Sequence, residues 1–181
     1  LIGLSMGFLF RLAFTALELG GLMIATQMGL GFASLVDPQN GAQSPLLSQF
    51  YTLLGTLVFL GLNGHLMLVQ LLVDSFDVLP IATSGADRDL LWTLVTWASR
   101  MFAGAVLISL PAIASLLVVN LAFGVMTRAA PQLNIFSVGF PIGLILGLLI
   151  ILYNLPTLLY QLERLFADAF QSIGQLLGGT G

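Results

Sequence analysis

Apolar residues run along this chain in four long blocks, and the polar residues gather in the gaps between them. The blocks are 1–36, 46–73, 90–127 and 135–162. The first is interrupted by Arg11 and Glu18, the second holds His65 as its one titrating group, the third has Arg100 near its start, and the fourth has no charge. Each exceeds the ~20 residues that cross a hydrocarbon core as a helix. Backbone groups in lipid must be satisfied internally, so only helices or a closed barrel span it. Barrel strands alternate polar and apolar positions, and GLILGLLIILYNL at 143–155 does not. The pattern predicts an all-α membrane protein.

The gaps carry turn chemistry. Between the first two blocks lies GFASLVDPQNGAQSPL, Gly31 to Leu46, where Asp37-Pro38 and Asn40-Gly41 form turns and Pro45 suits the first turn of the next helix. Leu79-Pro80 closes the second helix and TSGADRD at 83–89 forms a hydrophilic connection. APQLN at 130–134 separates the third from the fourth. Pro111, Pro141 and Pro156 fall inside apolar runs, where they are expected to kink or divide helices. The tail from Gln161 to Leu177, with Glu163, Arg164 and Asp168, returns to an amphipathic pattern and reads as an interfacial or protein-packed helix end.

Composition sharpens this picture. Of 181 residues 58% are hydrophobic and 7% charged, at a mean hydropathy of +1.05. Soluble domains carry about 25% charge, so this chain belongs in a bilayer or inside a larger apolar assembly. Five Arg, no Lys and a net charge of −3 argue against nucleic acid as a partner. No Cys is present, so neither a disulfide framework nor thiol chemistry enters. The opening LIGLSMGFLF lacks both an initiator Met and a basic leader to its apolar stretch, so Leu1 is expected to be an internal position. Each gap after the second block holds one Arg, so base counting alone does not orient the chain. Arg128, which has no acid near it, favours a cytoplasmic third gap.

Few residues offer chemistry. Gly3-Leu4-Ser5-Met6-Gly7 matches the GxSxG nucleophile pattern, but that pattern acts at a strand-to-helix elbow, and here it lies in a helical run. A hydrolase through Ser5 and His65 is the least favoured reading. One His without Cys builds no zinc site, so no metal or cofactor is expected. Asn63 and His65 are expected to hydrogen-bond between helices, with Gly61 and Gly64 permitting close approach. Asp74 and Asp77, at i and i+3, read as a solvated helix end rather than an acid–base pair. Arg11, Glu18 and Arg100 are costly inside apolar helices unless partnered, which makes them assembly candidates. Gly143 and Gly147 form a GxxxG spacing suited to tight helix contact. Broken helices with buried charges also fit an ion or small-solute transporter.

Three segments go beyond composition: DPQNGAQSPLLSQFY at 37–51, GLNGHLMLVQLLVDSFDVLPI at 61–81 and LAFGVMTRAAPQLNIFSVGFPIGL at 121–144. In order and spacing they resemble the FliR family of flagellar and type III secretion export gates, over essentially the whole chain but without the family's N-terminal helices. The resemblance implies a noncatalytic channel subunit that joins several copies of FliP and FliQ, with FlhB and FlhA nearby, and passes unfolded proteins across the bacterial inner membrane at the flagellar basal body. It implies kinked helical hairpins packed in a hetero-oligomer, a FliP-like part at 1–84 and a FliQ-like hairpin at 85–181. It also implies a channel plug at about 32–44, comprising Phe32, Leu35, Val36, Asp37, Pro38, Gln39, Asn40, Gly41, Gln43 and Ser44. A cytoplasmic entrance turn would contain Arg128, Pro131, Gln132 and Asn134. Arg11, Glu18, Asn63, Gly64, His65, Arg100, Gly143 and Gly147 are expected to serve helix packing or assembly. The flagellar branch fits the three segments best.

Overall fold

A computed structural model describes residues 2–30, 46–78, 88–129 and 135–178. Among these, every regular element is an α-helix: α1 (Ile2–Gln27), α2 (Leu46–Gly61), α3 (Gly64–Val78), α4 (Arg88–Ala129) and α5 (Ile135–Gly178). α1, α4 and α5 are each long and apolar enough to cross a membrane, and α2 with α3 forms a bent pair that could make a fourth span. At 42 and 44 residues, α4 and α5 are each roughly 65 Å long, about twice the hydrocarbon thickness. They form an antiparallel hairpin that extends well beyond a simple crossing.

α1 is the axis of the fold. Leu9, Ala13, Ala16, Leu17 and Ile24 are wholly buried, and α1 packs against α2, α4 and α5. Neighbouring pairs give the directions. α2 runs antiparallel to α1, with Ser48 donating from Oγ to the Glu18 carbonyl at 2.8 Å. α4 runs parallel to it, with Ala105 and Ile108 beside Gly20 and Ser109 beside Met23. α5 runs antiparallel, with Phe170 against Phe10, Phe166 against Phe14 and Met28 against Gly147.

Adjacent glycines make these approaches possible. A Cβ on Gly21 would meet the Ser48 backbone at 2.7–2.9 Å, while one on Gly20 would stand 3.3 Å from the Ala105 carbonyl and Ile108. Apolar helices in lipid gain little from hiding apolar surface and associate through close packing instead. The doublet therefore lets two backbones close on α1 at one level. Nearer the N-terminus of α1, Phe10, Phe14, Phe59, Phe166 and Phe170 form one connected ring cluster, with centroids 4.9–6.3 Å apart. Such pairs contribute roughly 0.5–1.5 kcal/mol each beyond area burial.

Two expectations about helix continuity change. The first apolar block reaches Val36, yet α1 ends at Gln27. Gly29 is left-handed at φ 81°, its N–H bonds the Thr26 carbonyl, and that of Leu30 bonds the Ala25 carbonyl. This is the Schellman arrangement that stops a helix. The second block is broken at Leu62 and Asn63 by a 65° bend. Asn63 adopts φ 55°, a conformation asparagine tolerates, and its carbonyl accepts the first N–H groups of α3, from Leu66 and Met67. A Cβ on Gly64 would strike the Phe59 ring. Finally, Pro111, Pro141 and Pro156 all lie inside continuous helices and divide none of them; long membrane helices tolerate the missing N–H when neighbouring groups compensate.

Gly21→Ala should lower the stability of the detergent-solubilised protein by about 1–3 kcal/mol, because backbone on α2 cannot yield to the new methyl. Gly124, with open space around its Cβ position, is the control: Gly124→Ala should be neutral or stabilising by up to ~1 kcal/mol. Thermal unfolding checks both, and equal losses would contradict the packing assignment.

Candidate functional site

The helix directions bring several of the sequence's candidate residues to one end of the bundle. α1 and α4 finish there, and α2 and α5 start there. Asn120 on α4 donates from Nδ2 to the Gln27 carbonyl at 3.3 Å, satisfying one of the carbonyls that a helix end leaves open. Beyond that contact α4 continues to Ala129, a further ~13 Å at the helical rise. On the other arm, Gly147 is buried against Met28, and α5 begins at Ile135, roughly 18 Å farther out. The end of α4 and the start of α5 thus stand beyond a shelf formed by Leu30 and Leu46.

Arg128 lies exposed in the last turn of α4, where a positive charge complements the helix dipole. Pro131, Gln132 and Asn134 lie outside the described residues, as do Phe32, Leu35, Val36, Asp37, Pro38, Gln39, Asn40, Gly41, Gln43 and Ser44. The two ends of that latter segment are well fixed. The Gly29 cap holds one side, and the Ser48–Glu18 bond holds the other. From the Gly21–Ser48 crossing, the helical rise places Leu30 and Leu46 roughly 10–15 Å apart. The fifteen residues 31–45 could reach about 50 Å. Connections between packed helices usually take 2–8 residues, so this one is far longer than closure requires.

The other candidates are dispersed. Arg11 is exposed on α1, and Glu18 is half-buried in a groove between α1 and α2. Asn63 and Gly64 form the α2–α3 bend, and His65 is exposed just past it. Gly143 has open space around its Cβ position. Ser5 is buried inside continuous α1, so the GxSxG pattern does not sit at an elbow. Asp74 and Asp77 are exposed on α3. No group of three or more metal-ligating side chains comes together among the described residues.

Arg100 has a definite neighbour. Its guanidinium donates to Ser172 Oγ at 3.4 Å, the Trp97 indole N–H donates to the same oxygen at 2.8 Å, and that hydroxyl donates to the Asp168 carbonyl at 2.8 Å. One buried hydroxyl therefore uses both acceptor sites and its donor, fastening α4 to α5. Sequence reading missed this clamp and the phenylalanine cluster. Phe10/Phe14 and Phe166/Phe170, both spaced i and i+4, were the available signal for the cluster; nothing local paired Trp97 with Ser172.

Comparison with known proteins covers nearly the whole chain. The family described as "Bacterial export proteins, family 1" matches residues 1–169. The flagellar biosynthetic protein FliR of Escherichia coli K12 is 38% identical over 177 residues, which are 98% of this chain and 68% of that protein. FliR of Bacillus subtilis is 30% identical over 184 residues, covering 100% of this chain and 71% of the relative. The surface presentation of antigens protein SpaR of Shigella flexneri is 28% identical over 166 residues, 92% of this chain and 64% of its own length.

Ser172→Ala should cost about 1–3 kcal/mol, because it leaves the buried Trp97 N–H without its acceptor. Trp97→Phe combined with Ser172→Ala should be non-additive, with a coupling of about 1 kcal/mol in a double-mutant cycle. Additive losses in thermal unfolding would show that the bond does not fasten the hairpin.

Proposed function

The chain belongs to family 1 of the bacterial export proteins and has a role in protein export, and we propose that it acts there as a structural and gating subunit of a membrane channel for unfolded flagellar proteins. Residues 31–45 serve as the gate segment, with the plug at about 32–44. The observation that carries this is the excess of chain between two locked helix ends. An ordinary antiparallel connection has no use for fifteen residues, whereas a segment that fills an opening and withdraws needs slack. Its composition supports the same use. Phe32, Leu35 and Val36 fill space, while Gln39, Asn40, Gln43 and Ser44 tolerate water and Gly41 frees the backbone.

The location is a membrane; we assign it to the bacterial inner membrane at the flagellar basal body. FliP and FliQ are the proposed neighbours, with FlhB and FlhA at the inner face. The bent α1–α3 unit would stand in a FliP-like position and the α4–α5 hairpin in a FliQ-like one. Many large apolar side chains remain exposed on these helices, including Leu107, Val118, Leu121, Leu149 and Leu152, so lipid or partner helices have ample surface to cover. The role needs no catalytic residue or cofactor. Arg128, beyond the shelf, is positioned to meet substrate or export machinery at the cytoplasmic mouth.

Deleting Pro38 to Gln43 in the assembled apparatus should open a leak to ions and small solutes, measured as membrane conductance with assembly verified in the same preparation. An intact barrier with intact assembly would remove the gating role. Arg128→Glu should reduce secretion of flagellar proteins while assembly persists, and unchanged secretion would free Arg128 of its assigned part.

A further inference from the structure

The end of α1 is held by two contacts, one from α4 and one from α5. Met28 is buried just past the last residue of the helix. Its N–H still donates to the Ile24 carbonyl at 3.0 Å, and its side chain lies in the notch that Gly147 leaves on α5. A Cβ on Gly147 would meet Met28 Cγ and Sδ at 2.8 Å, whereas Gly143, one turn farther out, faces open space. The neighbouring Gln27 carbonyl accepts from Asn120 Nδ2 on α4. The notch exists at one position only, so it sets the register between α1 and α5.

Outward of these contacts nothing on either arm is buried among the described residues: Leu116 is the last buried residue of α4 and Gly147 the first of α5. From there the arms run on to Ala129 and Ile135, roughly 20 and 18 Å at the helical rise. A rigid helix carries a displacement of its end to the first place where it is packed. For both arms that place is next to the end of α1. The contacts there are of a kind that can slip: methionine is unbranched and flexible and fills a gap without a directional bond, and glycine has no Cβ to trap it. Farther in, the Gly21 crossing and the Trp97–Ser172 bond hold the bundle together, so the end of α1 can shift while the rest stays packed.

We infer that Met28 and Gly147, with Asn120, are positioning residues for the gate. They hold the end of α1, and with it the start of the 31–45 segment three residues on, in the closed position, and a shift of the outer arms of α4 and α5 releases it. This rests on the gate reading above and adds what governs it: a protein that binds the arms acts on the gate through this notch.

Membrane conductance of the assembled apparatus, with assembly verified in the same preparation, tests this. Gly147→Leu should expel the methionine and Met28→Ala should empty the notch, each raising the leak severalfold. The two together, with the leucine filling the space the methionine leaves, should bring conductance back near the parental value. Asn120→Leu should also leak, and Gly143→Leu, at the open position, should not. Ser172→Ala, which loosens α4 from α5 at the other end, should lower thermal stability without a leak. A leak from Ser172→Ala as large as that from Met28→Ala would overturn the inference, because conductance would then follow general loosening. No recovery in the double variant would also overturn it. Tight barriers in both Met28→Ala and Asn120→Leu would do the same, even where Gly147→Leu does not assemble. Deleting Pro38 to Gln43 in the same assay separates the two readings: if that deletion leaks while these variants stay tight, the gate stands and only its control by the notch falls, and if it too stays tight, the gate reading has failed.

Discussion

Close backbone approach to α1 is the constraint on which the rest of the structure depends. At Gly21 the α2 main chain occupies space that any side chain would need, and at Gly20 the α4 main chain comes nearly as close. In a lipid environment such proximity supplies the van der Waals contact that burial from water would supply elsewhere. Once α2 and α4 are held at these two points, α5 closes against α1 through the rings of Phe166 and Phe170. The Phe59 ring then occupies the corner that Gly64 leaves open, which fixes where α2 gives way to α3.

This arrangement separates rigid parts from permissive ones. The aromatic cluster and the Trp97–Ser172–Arg100 clamp tie α4 and α5 to the bundle away from the hairpin tip. At the opposite end Met28 packs on Gly147 and Asn120 bonds the Gln27 carbonyl, and α4 and α5 continue beyond these contacts to Ala129 and Ile135. Substrate-facing elements belong where few contacts must be broken for movement. Stability concentrated at one end and projecting segments at the other fit a scaffold that holds its shape while a chain passes.

Hydropathy made the helical class and the approximate block positions legible, because 58% apolar residues in uninterrupted runs leave few alternatives. The sites of helix termination were less legible. Gly29 looks like one glycine among many until its cap bonds are seen, and Asn63 in GLNGH was read for its side chain when its backbone makes the bend. The inline prolines divide no helix, since neighbouring groups in long membrane helices can compensate for the missing N–H. Residue resemblance, not periodicity, carried the functional reading.

The central claim is that unfolded protein passes along this chain. The most direct measurement arrests an export substrate in transit by fusing a tightly folded domain to its end, with photoreactive residues spread along its unfolded part. Cross-linked peptides are then mapped onto this chain in the native membrane. The account predicts adducts on α1, α2 and the 31–45 segment, appearing only when the substrate is arrested. Adducts confined to the apolar faces of α4 and α5, or none while arrest demonstrably blocks export, would contradict it.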